Sequence, residues 1–129
     1  MIVVDASLIV AVLIDAGPTG RWASELTTQP LAAPQNMPVE VTSVLRRGEL
    51  SGRLDPTTAA IAYQDLLDLP VTLYPFGPMA ARVWALRATV SCYDATYVAL
   101  AEALGCAFAT CDTRLVAAPG PTCAFITPA

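Results

Sequence analysis

SCYDATYVALAEALGCAFATCDTRL, residues 91–115, is the stretch whose reading decides the fold. Ser91 stands three residues ahead of Asp94, the spacing of a capping box with Ser91 as N-cap and Asp94 at the third helical position. From there Asp94, Tyr97, Val98, Ala101 and Leu104 recur at helical spacing, so Asp94 rides with the apolar face while Glu102 falls off it. Gly105 ends this helix just after Leu104. Residues 107–110, AFAT, then read as a strand that runs on to Asp112.

The same alternation extends outward along the chain. Ile2-Val3-Val4 is a short apolar run of the kind buried in parallel sheets, and it ends at Asp5. A helix is expected over 6–14, closed by Gly17-Pro18, and a second over 19–27. Residues 31–33 read as a strand stopped by Pro34, and Pro38 suits the first turn of a helix over 38–47 with Gly48 at its end. Asp55-Pro56 opens a helix to Leu69; residues 71–74 make a strand, 77–88 a helix, and 123–127 a last strand. Strands alternating with helices predict an α/β sandwich around a mostly parallel sheet. A length of 129 residues fits one domain, spanning 1–129.

The N-terminal run MIVVDASLIVAVLIDAG has no basic flank, and only nine uncharged residues separate Asp5 from Asp15. That is too short to span a bilayer, so no membrane segment is expected and a cytoplasmic location is. Composition removes other possibilities. There is no histidine, and all seven bases are arginine. His-dependent triads, His-ligated zinc, P-loops and Schiff-base lysines are therefore excluded. The four cysteines form no C-x-x-C pair and are expected as reduced, mostly buried thiols. Acid–base work falls to carboxylates, Tyr, Cys or water on a metal.

Carboxylates stand where such work is done. Ligands of open α/β sheets gather beyond the carboxyl ends of the strands. Asp5 follows the first strand and Asp112 follows AFATC, while Glu40 and Asp94 lie in first turns of helices that begin at that edge. Each also has a plain structural reading. Asp5 and Asp112 can cap short helices, Glu40 can answer a helix dipole, and Asp94 can complete its capping box. Taken together, four converging carboxylates repel one another unless a cation relieves them. An oxygen-only set without His favours Mg²⁺ or Mn²⁺ over zinc, and such ions serve phosphodiester hydrolysis.

MIVVDASLIVAVL, PQNMPVEVTSVLRRG, SCYDATYVALAEALG and FATCDTRL together resemble the PIN-domain nucleases, and within them the VapC-type toxins of toxin–antitoxin pairs. The likeness runs through nearly the whole chain, and the YDATYVALAEALG segment with the strand and T-x-D after it is its most specific part. It implies a compact α/β/α fold and Mg²⁺- or Mn²⁺-dependent cleavage of RNA, structured RNA such as tRNA or rRNA included. By the same likeness Asp5, Glu40, Asp94 and Asp112 match the family's acidic quartet, with Ser7 and Thr110 at positions that often carry a supporting hydroxyl. Thr113-Arg114 after Asp112 leaves no further acid there, which speaks against a second tightly held metal. The resemblance also implies a cognate antitoxin over the acidic site and a homodimer.

A net charge of −4 is unusual for an RNA-binding protein, which turns attention to Arg46 and Arg47 on the Glu40 helix and Arg82 and Arg87 on the helix before YDA. The rival readings are a catalytically silent PIN-like binding or assembly module, a phosphoacceptor receiver domain and a DNA-directed flap nuclease. The receiver domain requires a lysine that the chain lacks, and the flap nuclease requires insertions for which it has no room.

Overall fold

The computed structural model describes residues 1–128. Thirteen elements follow in chain order: β1 (Ile2–Val4), α1 (Ala6–Ile14), α2 (Pro18–Leu26), β2 (Leu31–Pro34), α3 (Met37–Leu50), α4 (Pro56–Asp68), β3 (Val71–Tyr74), a 3-10 turn (Gly77–Met79), α5 (Ala80–Ala85), α6 (Cys92–Leu104), β4 (Phe108–Ala109), α7 (Thr113–Val116) and β5 (Phe125–Ile126). All strand pairs are parallel, and the sheet order is β3-β2-β1-β4-β5.

That order puts the site. The chain first steps outward from β1 to β2 and β3, then returns to lay β4 and β5 on the other side of β1. Crossovers of fixed hand put successive helices on opposite faces when the direction of travel reverses. Accordingly α1 packs on α2, α3 and α4, while α6 packs on α5, β1, β2 and β4. The result is the expected three-layer α/β/α arrangement. The reversal leaves a topological switch point between β1 and β4, where α/β sheets open a crevice at their carboxyl edge.

The layers meet in one core. Val3, Val4, Leu8, Ile9, Val41, Val98 and Phe108 are wholly buried, as the apolar β1 run and the helix stripes require. Tyr97 of α6 stacks on Phe108 with ring centroids 5.7 Å apart, and Phe108 meets Phe125 of β5 at 5.6 Å. Gly105 takes φ 64°, the left-handed conformation that closes α6 without a Cβ clash.

Several boundaries differ from the sequence reading, each for a local reason. Helix α3 runs through Gly48 to Leu50: Gly48 is buried beneath the Leu54 side chain, and its carbonyl accepts from Leu54 N at 3.0 Å. Gly48 thus gives room for a turn to pack rather than ending the helix. Pro34 stays within β2 opposite Tyr74, because the next amide, Gln35 N, donates to Tyr74 O at 2.9 Å. The expected helix over 77–88 is broken into a 3-10 turn and the short α5. β4 and β5 keep only two residues each, although Val3 N to Ala107 O and Thr110 N to Ile126 O extend the pairing beyond them. The four cysteines are free, with Cys92 exposed and the other three half-buried. Among the described residues no helix is long and apolar enough to cross a membrane.

Candidate active site

Asp5 is the first residue beyond β1, and its side chain is nearly buried. It does cap α1, Oδ1 accepting from Leu8 N at 3.0 Å, but the cap is only part of its environment. Ser7 Oγ donates to the same oxygen at 2.6 Å, and Thr110 Oγ1 donates to Oδ2 at 2.5 Å. Burial pushes the Asp5 carboxyl above its usual range; these three donors pull it back, and the charge of Asp94 adds to the rise.

The two hydroxyls tie β1 to β4. Thr110 is fully buried, and its oxygen accepts from Asp112 N at 3.0 Å while its proton goes to Asp5. Ser7 Oγ likewise accepts from Cys111 N at 3.1 Å. Asp112 follows at the start of α7, half-buried, with Oδ1 accepting from Arg114 N at 3.0 Å. Its carboxylate also meets Arg114 Nε at 3.4 Å.

Glu40 sits in the first turn of α3, half-buried, with Oε1 accepting from Asn36 Nδ2 and, at 3.2 Å, from the Tyr97 hydroxyl. Burial raises its carboxyl; those two donors lower it, and the charges of Asp94 and Asp5 raise it again. The Tyr97 hydroxyl is pushed up, chiefly by burial and then by Glu40, and so stays a donor. Asp94 lies in the first turn of α6, where Ser91 accepts its backbone amide at 3.2 Å, one half of the expected capping box. Burial again dominates the rise of its carboxyl, opposed by Ser91, with Asp112 raising it further and Arg114 lowering it.

The four acids thus gather from four segments at one sheet edge: the charge of Asp94 reaches Asp5 and Glu40, that of Asp5 reaches Glu40, and that of Asp112 reaches Asp94. Among the described residues no three of them stand close enough to grip one ion together with the side chains as they lie. The donor set nevertheless fits a hard divalent cation. It is all oxygen, and of the four acids only Asp112 has an arginine within ion-pair distance among the described residues. Buried charge at Asp5 without a basic partner is the condition that a cation relieves.

The sequence reading did not single out Asn36 or Thr96. Asn36 Nδ2 reaches Thr96 Oγ1 at 3.4 Å as well as Glu40, joining α3 to α6. The available signal was the four-residue spacing of Asn36 and Glu40 ahead of an apolar helix. Two of the four arginines singled out are committed elsewhere. Arg82 donates to Glu102 at 2.6 Å and to Gly120 O at 2.9 Å, and Arg87 lies 4.3 Å over the Trp84 ring. Arg46 and Arg47 are exposed on α3.

The PIN domain family model matches residues 2–121. Ribonuclease VapC9 of Mycobacterium tuberculosis is 42% identical over 115 residues, covering 89% of this chain and 88% of that protein. Ribonuclease VapC12 of the same organism is 33% identical over 120 residues, covering 93% of each. In three dimensions the chain is similar to M. tuberculosis VapC20, a sarcin–ricin loop cleaving toxin, with a TM-score of 0.69 at 19% identity, covering 91% of this chain and 94% of that one. A match over almost the full length, joined to identity at this level, means that the chain belongs to the PIN-domain family, in its VapC branch.

Proposed function

We propose that the chain is an endoribonuclease, the toxin of a toxin–antitoxin pair, which hydrolyses RNA phosphodiester bonds with the help of Mg²⁺ or Mn²⁺. The observation that carries this reading is the Asp5 carboxylate, buried at the switch point and held by Ser7, Leu8 and Thr110, with Glu40, Asp94 and Asp112 around it. Relatives over 40% identical that bear the name ribonuclease support the substrate class.

Asp5, Glu40, Asp94 and Asp112 would hold the cation. When bound, it supplies a more acidic water and neutralises charge that develops on the phosphate. The protein's own part is positional. Asp5 is fixed on both oxygens, so its orientation costs little to maintain when substrate arrives. Glu40 is held by a neutral tyrosine and an amide, donors that orient it without cancelling its charge. Arg114, exposed and loosely paired with Asp112, and Arg46 and Arg47, exposed on α3, are cations close in sequence to the acids for meeting phosphate. The family likeness extends the reading to a cognate antitoxin, a homodimer and action in the cytoplasm.

The test incubates the purified, antitoxin-free protein with total cellular RNA, with and without Mg²⁺ or Mn²⁺, and maps new ends beside Asp94→Asn. Discrete metal-dependent cuts absent from a folded Asp94→Asn protein are expected, a loss of at least about 100-fold. Full activity in that variant sinks the assignment of the acids. No cuts from the folded wild type with either metal would favour a silent binding module.

A further inference from the structure

Beside the acids lies a cleft of about 300 Å³ lined by Gln35, Asn36, Phe76, Cys92, Tyr93 and Thr96. We propose that it seats one unpaired nucleobase of the RNA, next to the phosphate that is cut; the inference rests on the ribonuclease reading above.

Three features carry it. The first is continuity: Asn36, in the wall of the cleft, bonds directly to Glu40 and reaches Thr96, so cleft and acids share a side chain. A strand that brings a phosphate to the acids places a neighbouring base at this wall. The second is the pair of aromatic rings. Phe76 is 52% exposed and Tyr93 68% exposed, two open ring surfaces on which a flat group can stack. Both line the same cleft from different segments, the turn after β3 and the start of α6. The third is the character of the wall. Its surface is almost wholly apolar, none of the six lining residues is charged, and the Asn36 amide nitrogen is already engaged by Glu40 and Thr96, so the cleft suits the flat face of a base rather than a phosphate. Stacking on aromatic rings is how proteins hold single-stranded RNA.

The occupant is one nucleoside, its base laid against the aromatic wall of the cleft. A base is favoured over an apolar peptide segment by the link to Glu40, which sets the cleft one side chain away from the acids where the phosphate would lie.

The experiment uses an RNA oligonucleotide spanning a mapped cleavage site, cut by the wild type, Tyr93→Ala, Phe76→Ala and Tyr93→Phe. Both rings are largely in solvent, so the folds should survive, and melting curves check this. Each alanine variant is expected to raise KM by roughly 5- to 100-fold with a smaller change in kcat, and Tyr93→Phe to stay near wild type. Replacing a base adjacent to the cut with an abasic site should weaken wild-type cleavage likewise, and weaken Tyr93→Ala little further. Alanine variants that cut like the wild type, or a full abasic penalty retained in both of them, overturn the base site while the ribonuclease reading stands. Unchanged RNA kinetics with weakened inhibition by the antitoxin would make the cleft a peptide seat, and also overturns it. A wild type that cuts no RNA removes the ribonuclease reading and this inference with it.

Discussion

Thr110 makes two hydrogen bonds with one oxygen, donating to Asp5 and accepting from Asp112 N, in a position with no access to water. Valine has the same shape and can do neither. Thr110→Val therefore leaves a buried carboxylate oxygen one donor short and a backbone amide unmet. Unsatisfied groups of this kind cost about 1–3 kcal/mol each, more when charged. We expect the variant to lose at least about 1–3 kcal/mol in urea unfolding, with Thr110→Ser recovering most of it. A valine protein as stable as the wild type would mean that Asp5 finds another donor or takes up a proton. Ser7 plays the parallel part for the other oxygen, from a half-buried position. Sequence could suggest these hydroxyls by family likeness, but their effect depends on β1 and β4 lying side by side. Asn36 was harder to see, because its partners Glu40 and Thr96 lie on different helices and only one is near in sequence.

Elements were legible where period and punctuation agreed, and misleading where a glycine served packing. β1, α1 and α6 follow from an apolar run, a helical stripe and a capped start, signals that local chemistry imposes. Gly48 read as a stop because glycine usually is one, yet here its missing side chain admits Leu54. Gly20 is the stricter case. It lies inside α2, where propensity alone counts it a penalty. A Cβ on Gly20 would stand 1.8 Å from the carbonyl oxygen of Asp15, so α2 can fold back against the end of α1 only if position 20 is bare. Gly20→Ala should improve helix propensity and still destabilise the protein, by about 1–3 kcal/mol or more, as overpacking against rigid backbone does. Thermal melts of the two proteins decide it: an alanine variant at or above the wild-type midpoint would show that the α1–α2 corner yields. Nothing in one sequence distinguishes this glycine from an ordinary one, since the clash is with a residue placed by the turn at Gly17.

Over the whole molecule the bases and acids are not matched where the acids are most withdrawn from water. The strongest described ion pair, Arg82 with Glu102, braces α5 against α6 and, through Gly120 O and Thr122 N, fixes the chain that leads to β5. It lies apart from Asp5, Glu40 and Asp94, which have no arginine within ion-pair distance among the described residues. Asp94 shows which effect wins. Its place in the first turn of α6 favours a negative charge by about 0.3–1 kcal/mol, yet burial and the charge of Asp112 hold its carboxyl above the usual range. The folded protein therefore sacrifices stability to keep these acids together, and a divalent cation would return it. In chelator, Asp94→Asn should melt above the wild type by about 2–6 °C, because it removes one of the opposed charges. Millimolar Mg²⁺ or Mn²⁺ should raise the wild-type midpoint and leave Asp94→Asn nearly unmoved, so that the gap closes or reverses. Equal shifts in both proteins would mean that the cation acts elsewhere, and no shift in the wild type would mean that the quartet holds none. An Asp94→Asn protein that melts below the wild type in chelator would show that the capped helix start outweighs the crowding of charge.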